Sequence, residues 1–216
     1  MRRELHVRFC EGGGVQLPSA TRLVVGFEHR EEATRFLTEL RERFAQFGLT
    51  LHPDKTRLIE FGRSAARNRR DRGDGKPETF NFLGFTHACS RTRKGQFTVL
   101  RTTMRRRWQA KLQAVKAALR RRLHAPIPDQ GAYLRSIVAG HARYYAVPRN
   151  APRVHAFRHA LVRLWWAALR RRSQTGRVSW ERMLRLSTRW LPIPRICHPY
   201  PSQRLALATH GKSRMR

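Results

Sequence analysis

The sequence predicts an α+β chain in two parts, an α/β segment over roughly the first hundred residues and an all-helical segment beyond a boundary near Leu100. Three observations carry this. Short apolar runs bounded by Gly, Pro and other turn residues fill the first part, as strands do. From Arg101 onward, apolar residues recur with a helical period over three stretches separated by Pro-containing links, the pattern of a small bundle. Charge is also uneven: Arg101–Arg172 holds eighteen Lys and Arg against one acid, Asp129.

Taken in order, residues 1–22 form an atypical segment. Gly12-Gly13-Gly14 and weak periodicity predict neither helix nor strand there. Residues 23–100 are the α/β part. Leu23–Phe27 reads as a short buried strand. Glu28–Phe47 reads as a helix, with Ala33, Phe36, Leu37, Leu40, Phe44 and Phe47 on its apolar side and acids in its first turns. Gly48 is placed to be its C′ residue. Leu49–Leu51 and Arg57–Phe61 are expected as strands flanking a turn, His52 to Thr56, in which Asp54 is a turn residue. Arg63–Pro77 is a basic loop, Phe80–Thr86 a short strand, and Arg93-Lys94-Gly95 a turn leading to a hairpin partner, Gln96–Arg101.

Residues 101–190 are the helical part. Met104, Trp108, Leu112, Val115, Leu119 and Leu123 mark a first helix over Arg101–Leu123, which Pro126 and Pro128 are expected to end. Leu134, Ile137, Val138, His141 and Tyr145 mark a second over Ala132–Ala146. Val154, Phe157, Leu161, Leu164, Trp165, Ala168 and Leu169 mark a third over Arg153–Arg172, with Trp165 inward and Trp166 partly exposed. Ser179–Trp190 is a short fourth helix, and residues 191–216 are a Pro-rich basic tail in which Tyr200 is expected to pack.

Composition bounds the partners. The chain has 46 Lys plus Arg, 14 Asp plus Glu and a formal net charge of +32, which points to a polyanion, most simply nucleic acid. Five Trp and eleven Phe supply a core, so this is not a disordered basic tail. No apolar run is long enough for a membrane helix. Three widely spaced Cys and no secretory h-region favour a reduced, cytoplasmic setting. No Cys/His cluster has metal-site spacing; a metal at His198 is not expected, and no Ser-His-Asp or Cys-His arrangement has support.

The order LVVGF, then a helix opening EHREEA, then GLTLHPDKT, a basic loop and KPETFNFLGF resembles the back half of the palm of group II intron reverse transcriptases. GHARYYAVPRN, WWAALRRRSQ and WLPIPRICHPYP are similar to the thumb and maturase-specific region of that family. The resemblance spans roughly Leu23 to Arg216 and rests on the order and spacing of motifs. It implies a partial palm followed by a thumb-like bundle, RNA-directed DNA polymerase activity for a full-length member, and binding of structured intron RNA to assist splicing. The family's Tyr-Ala-Asp-Asp hairpin, whose carboxylates hold Mg²⁺, would fall just before LVVGF. Here Ser19-Ala20-Thr21-Arg22 stand there, and an Arg would repel the ion. The fingers and the first metal-binding Asp would precede residue 1. No cofactor is therefore expected in this chain, and Mg²⁺ only in a full-length relative. Pro18–Arg22 can be coded so that a shifted frame reads Val-Arg-Tyr-Ala, the family's lead-in to its Asp pair. Residues 1–22 are accordingly a candidate out-of-frame segment, which the nucleotide sequence would decide; an unrelated start region is the alternative.

The expected RNA-binding residues are Arg105, Arg106, Arg107, Arg120 and Arg121 at the two ends of the first helix, Arg143, Tyr144 and Arg149 around the second, and Arg170, Arg171 and Arg172 closing the third. The plainer reading of the last three is interaction with a helix C-terminus. Asn150 is expected to cap the third helix, with a base contact as the alternative. By resemblance, Lys55 matches a Lys near the incoming nucleotide, which without a metal site becomes a surface contact to RNA phosphate. Phe82, Leu83 and Gly84 match a primer-positioning segment; on pattern alone Phe80, Phe82, Leu83 and Phe85 are core residues. The leading expectation is an RNA-binding maturase fragment without its own polymerase site, with RNA as partner, DNA left open, and neither membrane nor small-molecule substrate. The alternatives are an active reverse transcriptase, if this is a piece of a longer protein, a generic basic nucleic-acid module, and a pseudogene remnant that never folds stably.

Overall fold

The computed structural model describes residues 5–11, 22–53, 56–172 and 178–199, with only the backbone of 5–11, 22 and 23. The fold is α+β, and the chain divides into two compact units, Met1–Leu100 and Arg101–Arg216.

The first unit opens with β1 (Leu5–Glu11), where neither helix nor strand was expected. In sequence, Leu5, Val7 and Phe9 alternate with His6, Arg8 and Cys10, the period of a strand, and the nearby glycines obscure it. β1 is the centre of an antiparallel sheet, flanked by β2 (Arg22–Phe27) and β3 (Arg57–Phe61), so that Val7 stands opposite both Gly26 and Ile59. One β1 partner, β3, lies far along the chain, so local composition cannot report that pairing. β2 is half-buried rather than buried. Between β2 and β3 runs α1 (Arg30–Gln46), whose Phe36 ring lies 5.2 Å from Phe27. Gly48, at φ +67°, is the C′ residue: its N–H donates to Ala45 O and that of Leu49 to Phe44 O, which closes a Schellman motif. Leu49–Leu51 forms no strand, only a single bridge at Leu51.

Within the expected basic loop lies a short helix, α2 (Ala65–Asp71). Its reason is tertiary. Half-buried Glu60 on β3 accepts from Asn68 Nδ2 at 2.9 Å and pairs with Arg72, while Ala65 is buried. The expected strand Phe80–Thr86 is broken into β4 (Phe80–Phe82) and β5 (Phe85–Arg91) by a two-residue turn. Leu83 and Gly84 both have positive φ, +46° and +79°, as a tight hairpin of the primed kind requires. Leu83 is therefore 61 % exposed at the tip and is not a core residue. β5 turns at residues 93–95 into β6 (Phe97–Thr103). The small core of this unit is Ile59 and Phe61, with Val24, Phe80 and Cys89 against them, and burial pushes the Cys89 thiol pKa up.

The second unit is a helical bundle of α3 (Arg105–Arg121), α4 (Ile127–Tyr145), α5 (Ala151–Arg170) and α6 (Trp180–Trp190). The prolines expected to end α3 instead start α4: Pro126 is its N-cap and Pro128 sits in its first turn, where an absent N–H costs nothing. Val115, Leu119, Leu134, Val138, Phe157, Leu161, Trp165, Leu169, Met183 and Leu191 form one continuous core. Trp165 is fully buried and Trp166 only partly, as their adjacency dictates. Gly131 on α4 touches the Trp190 ring so closely that an added Cβ would overlap it, which lets α4 and α6 pack.

A buried amide fixes one end of the bundle. Gln130, 1 % exposed, accepts from Trp165 Nε1–H at 2.9 Å and donates from Nε2 towards the carbonyls of Arg122 (2.8 Å), Leu123 (3.3 Å) and Ala125 (3.2 Å). These carbonyls belong to the turn that follows α3, and that of Arg122 also accepts from the Ala125 N–H at 3.1 Å. Gln130→Ala strands the indole N–H and takes the amide donor from the Leu123 and Ala125 carbonyls; we expect a loss of about 2–4 kcal/mol in urea unfolding. The larger core of residues 101–190 also predicts that limited proteolysis of the whole chain removes residues 1–60 before it cuts the bundle.

Candidate nucleic-acid interface

Helix direction decides which basic residues meet. α3, α4 and α5 alternate in direction, so the C-terminus of α4 lies by the N-termini of α3 and α5. Asn150 closes this end. It occupies the N-cap position of α5 but makes no cap hydrogen bond. Its side chain is fully buried instead: Oδ1 accepts from the Thr103 N–H at 3.1 Å, and Nδ2 donates to Thr103 Oγ1 at 2.9 Å and to Tyr145 O at 2.8 Å. The cap and the base contact expected from sequence both give way to this clamp, because the three backbones converge on one amide.

Around the clamp stand exposed Arg105, Arg106, Arg107, Arg143 and Arg149, with Tyr144 48 % exposed beside them. Arg107 hydrogen-bonds Tyr145, whose hydroxyl burial pushes towards higher pKa against the pull of that arginine. The tail straps the same end: Cys197 N–H donates to Ala146 O at 3.0 Å, and His198 Nε2 donates to Arg143 O at 2.7 Å. Arg149 sits at φ +70°, a conformation that costs a non-glycine residue energy.

The opposite end gathers Arg120, Arg121, Arg170, Arg171 and Arg172 around the Gln130 clamp. Arg120, Arg121 and Arg171 are exposed. Arg170 lies 4.9 Å over the Trp166 ring, and Arg172 donates to His124 O at 3.3 Å. These two serve packing as well as charge. With 17 residues, α3 separates the two clusters by about 25 Å.

Two other cations of the bundle are structural. Arg158 donates to Leu191 O at 3.1 Å and Arg135 to Arg189 O at 3.1 Å, placing two charges on the C-terminus of α6, where the helix dipole favours them. Burial lowers the Arg158 pKa from its usual value. Lys55 and Tyr200 lie outside the described residues. Phe82, Leu83 and Gly84 form the β4–β5 turn, in the first unit.

The sequence did not single out Gln130, and it gave Asn150 a cap rather than a buried clamp. A polar residue at a helix end reads as a surface residue unless the neighbouring backbones are known. His141, 8 % exposed, stacks on Phe157 with centroids 3.7 Å apart. Burial first, and the charge of Lys111 second, lower its pKa from 6.5 to about 4.

Among the described residues, no group of three or more His, Cys, Asp or Glu could hold a metal ion, so no carboxylate set there fits a Mg²⁺ pair. Among them also, no helix is long and apolar enough to cross a membrane. No protein-family model matches the chain, and a search of curated proteins found no match.

The His141 shift has a pH consequence. The unfolded imidazole takes a proton below about pH 6.5, whereas the folded one resists until about pH 4. Stability is thus full above pH 6.5 and declines as pH falls through that window, at up to about 1.4 kcal/mol per pH unit. His141→Phe, compared with wild type by urea unfolding at about pH 7 and about pH 4.5, should show a shallower decline.

Proposed function

We propose that the chain is an RNA-binding module of the group II intron maturase kind, its first unit a remnant palm and its second a thumb-like bundle that holds folded intron RNA. The observation that carries this reading is the pair of cation clusters at the two ends of a rigid bundle. A flexible basic tail would meet any polyanion. Cations fixed about 25 Å apart by a 17-residue helix instead favour RNA whose backbone is folded to match, since folded RNA is recognised through shape and phosphate position. The motif order from LVVGF to WLPIPRICHPYP supports the family assignment. The chemistry of splicing then belongs to the RNA, and no polymerase step is assigned here, because Ser19-Ala20-Thr21-Arg22 stand where carboxylates would be needed.

The test is filter binding at matched salt with a group II intron RNA, an unrelated structured RNA and duplex DNA. We expect preference for the intron RNA; equal affinities would reduce the chain to a generic basic module. Log affinity should fall linearly with log salt. Arg105→Gln with Arg106→Gln, or Arg120→Gln with Arg121→Gln, should each lower that slope by about 1–2. If only one pair changes it, the RNA does not span both clusters.

A further inference from the structure

α6 runs back along α5. Trp166 Nε1–H donates to Val178 O at 2.9 Å, just before α6 begins, and Arg158, two turns earlier on α5, reaches the carbonyls of Ser187 and Leu191 at the end of α6. The outer border of this seam is apolar where it meets solvent. Trp180, the first residue of α6, is 40 % exposed, and Leu184, one turn on along the same side, is 46 % exposed. The Trp180 ring is held in place. Ser179 Oγ accepts from the Arg182 N–H at 3.2 Å and caps the helix, and the Trp180 ring stands 5.2 Å from that of Trp166, at 74° to it. Trp166 packs on the bundle core, carries the Arg170 guanidinium over its ring, and leaves Trp180 outward of it. Steps of three and four residues put Arg163, Trp166 and Arg170 on one side of α5, with Arg163 and Arg170 exposed and about 10 Å apart along the axis. In sequence, Glu181 is the one acid of α5 and α6, and it sits in the first turn of α6, where the helix dipole favours it.

We propose that Trp180 is a stacking platform for an unpaired base of the bound RNA, whose flanking phosphates lie on Arg163 and Arg170. This rests on the RNA-binding reading and deepens it. The cap and the Trp166 contact fix the ring while much of it stays open, so it takes up a planar partner at little cost in ordering. Charge complementarity fixes the class of partner. Cations on the border call for phosphates, and the aromatic surface calls for bases. A strand with unpaired bases presents both side by side, whereas the bases of a duplex are already stacked and covered. A lipid surface calls for a broad apolar face, and here the strip is two residues wide with arginines along its edge. Arg170 also belongs to the cation cluster at this end of the bundle, so a strand held by that cluster reaches Trp180.

The experiment measures the affinity of the whole chain, by fluorescence anisotropy, for a blunt-ended RNA hairpin, the same hairpin with a short unpaired adenosine tail, and the same hairpin with an abasic tail. We expect the adenosine tail to tighten binding about tenfold, as one stacked base allows, and the abasic tail to add far less. Trp180→Leu, which keeps an apolar contact with Trp166, should remove the gain from adenosine and leave the blunt hairpin unchanged. Trp180→Phe, which keeps a ring, should retain most of the gain. Melting temperatures verify that both variants fold. A readout free of variants is tryptophan emission of the wild type at saturation, which the adenosine tail should quench more than the abasic tail does. Equal quenching would overturn the proposal, as would a gain that survives Trp180→Leu or is lost equally in the Phe and Leu variants. An abasic tail that binds as tightly as adenosine would show that the arginines alone suffice, and would overturn it too. Anionic phospholipid vesicles that bind the wild type and not Trp180→Leu, with RNA affinities unaltered, would assign the strip to a membrane instead. Equal binding of the blunt and adenosine-tailed hairpins sinks this proposal alone, whereas binding of neither sinks the RNA-binding reading with it.

Discussion

The bundle depends on one neutral amide. Gln130 holds the carbonyls of the turn that follows α3 and the indole of Trp165 at once, and so ties α3, α4 and α5 together at a point with no spare apolar surface. A charged side chain in that place would need a counter-charge that this region, with eighteen cations and one acid between Arg101 and Arg172, does not have. An amide donates and accepts without carrying charge. Asn150 solves the same problem at the other end, where Thr103, Tyr145 and the start of α5 converge. Between the two clamps runs a continuous apolar core, with His141 stacked against its Phe157.

That division of labour explains how so basic a chain can pack. The cations are pushed to the surface, and several do structural work there: Arg135 and Arg158 hold the C-terminus of α6, and Arg122 lies 4.4 Å over Tyr133. Mutual repulsion remains, and a bound polyanion would relieve it. The acids of the first unit are used differently: Glu60 anchors α2, and Glu78 pairs with Arg57 at 3.1 Å. The two units are thus stabilised by different means.

Where sequence reading went astray, the missing information was non-local. β1 is a strand because β2 and β3 pair with it from both sides, and its glycine-rich neighbour masked a period-2 pattern. α2 forms in an Arg-rich stretch because Glu60 holds it. Leu83 looked like core in an apolar run, but two consecutive positive φ angles put it at a hairpin tip. Pro126 and Pro128 were equally compatible with ending one helix and starting the next, and only the position of the α4 backbone separates the two. By contrast Gly48 as C′ residue and the Trp165/Trp166 division were legible, since each follows from helix geometry alone.

The sequence by itself determined the class, the helical stripes and the excess of positive charge, because periodicity and composition are properties of neighbouring residues. It also named every arginine of both clusters. Only the tertiary structure decided how those arginines are grouped: Arg105–Arg107 with Arg143 and Arg149, and Arg120–Arg121 with Arg170–Arg172. Grouping depends on antiparallel helix packing, which places residues forty or more positions apart side by side. Burial of Gln130 and Asn150 was decided there too, because these polar side chains become interior only when several distant backbones close around them; His141 already stood on the apolar stripe of its helix.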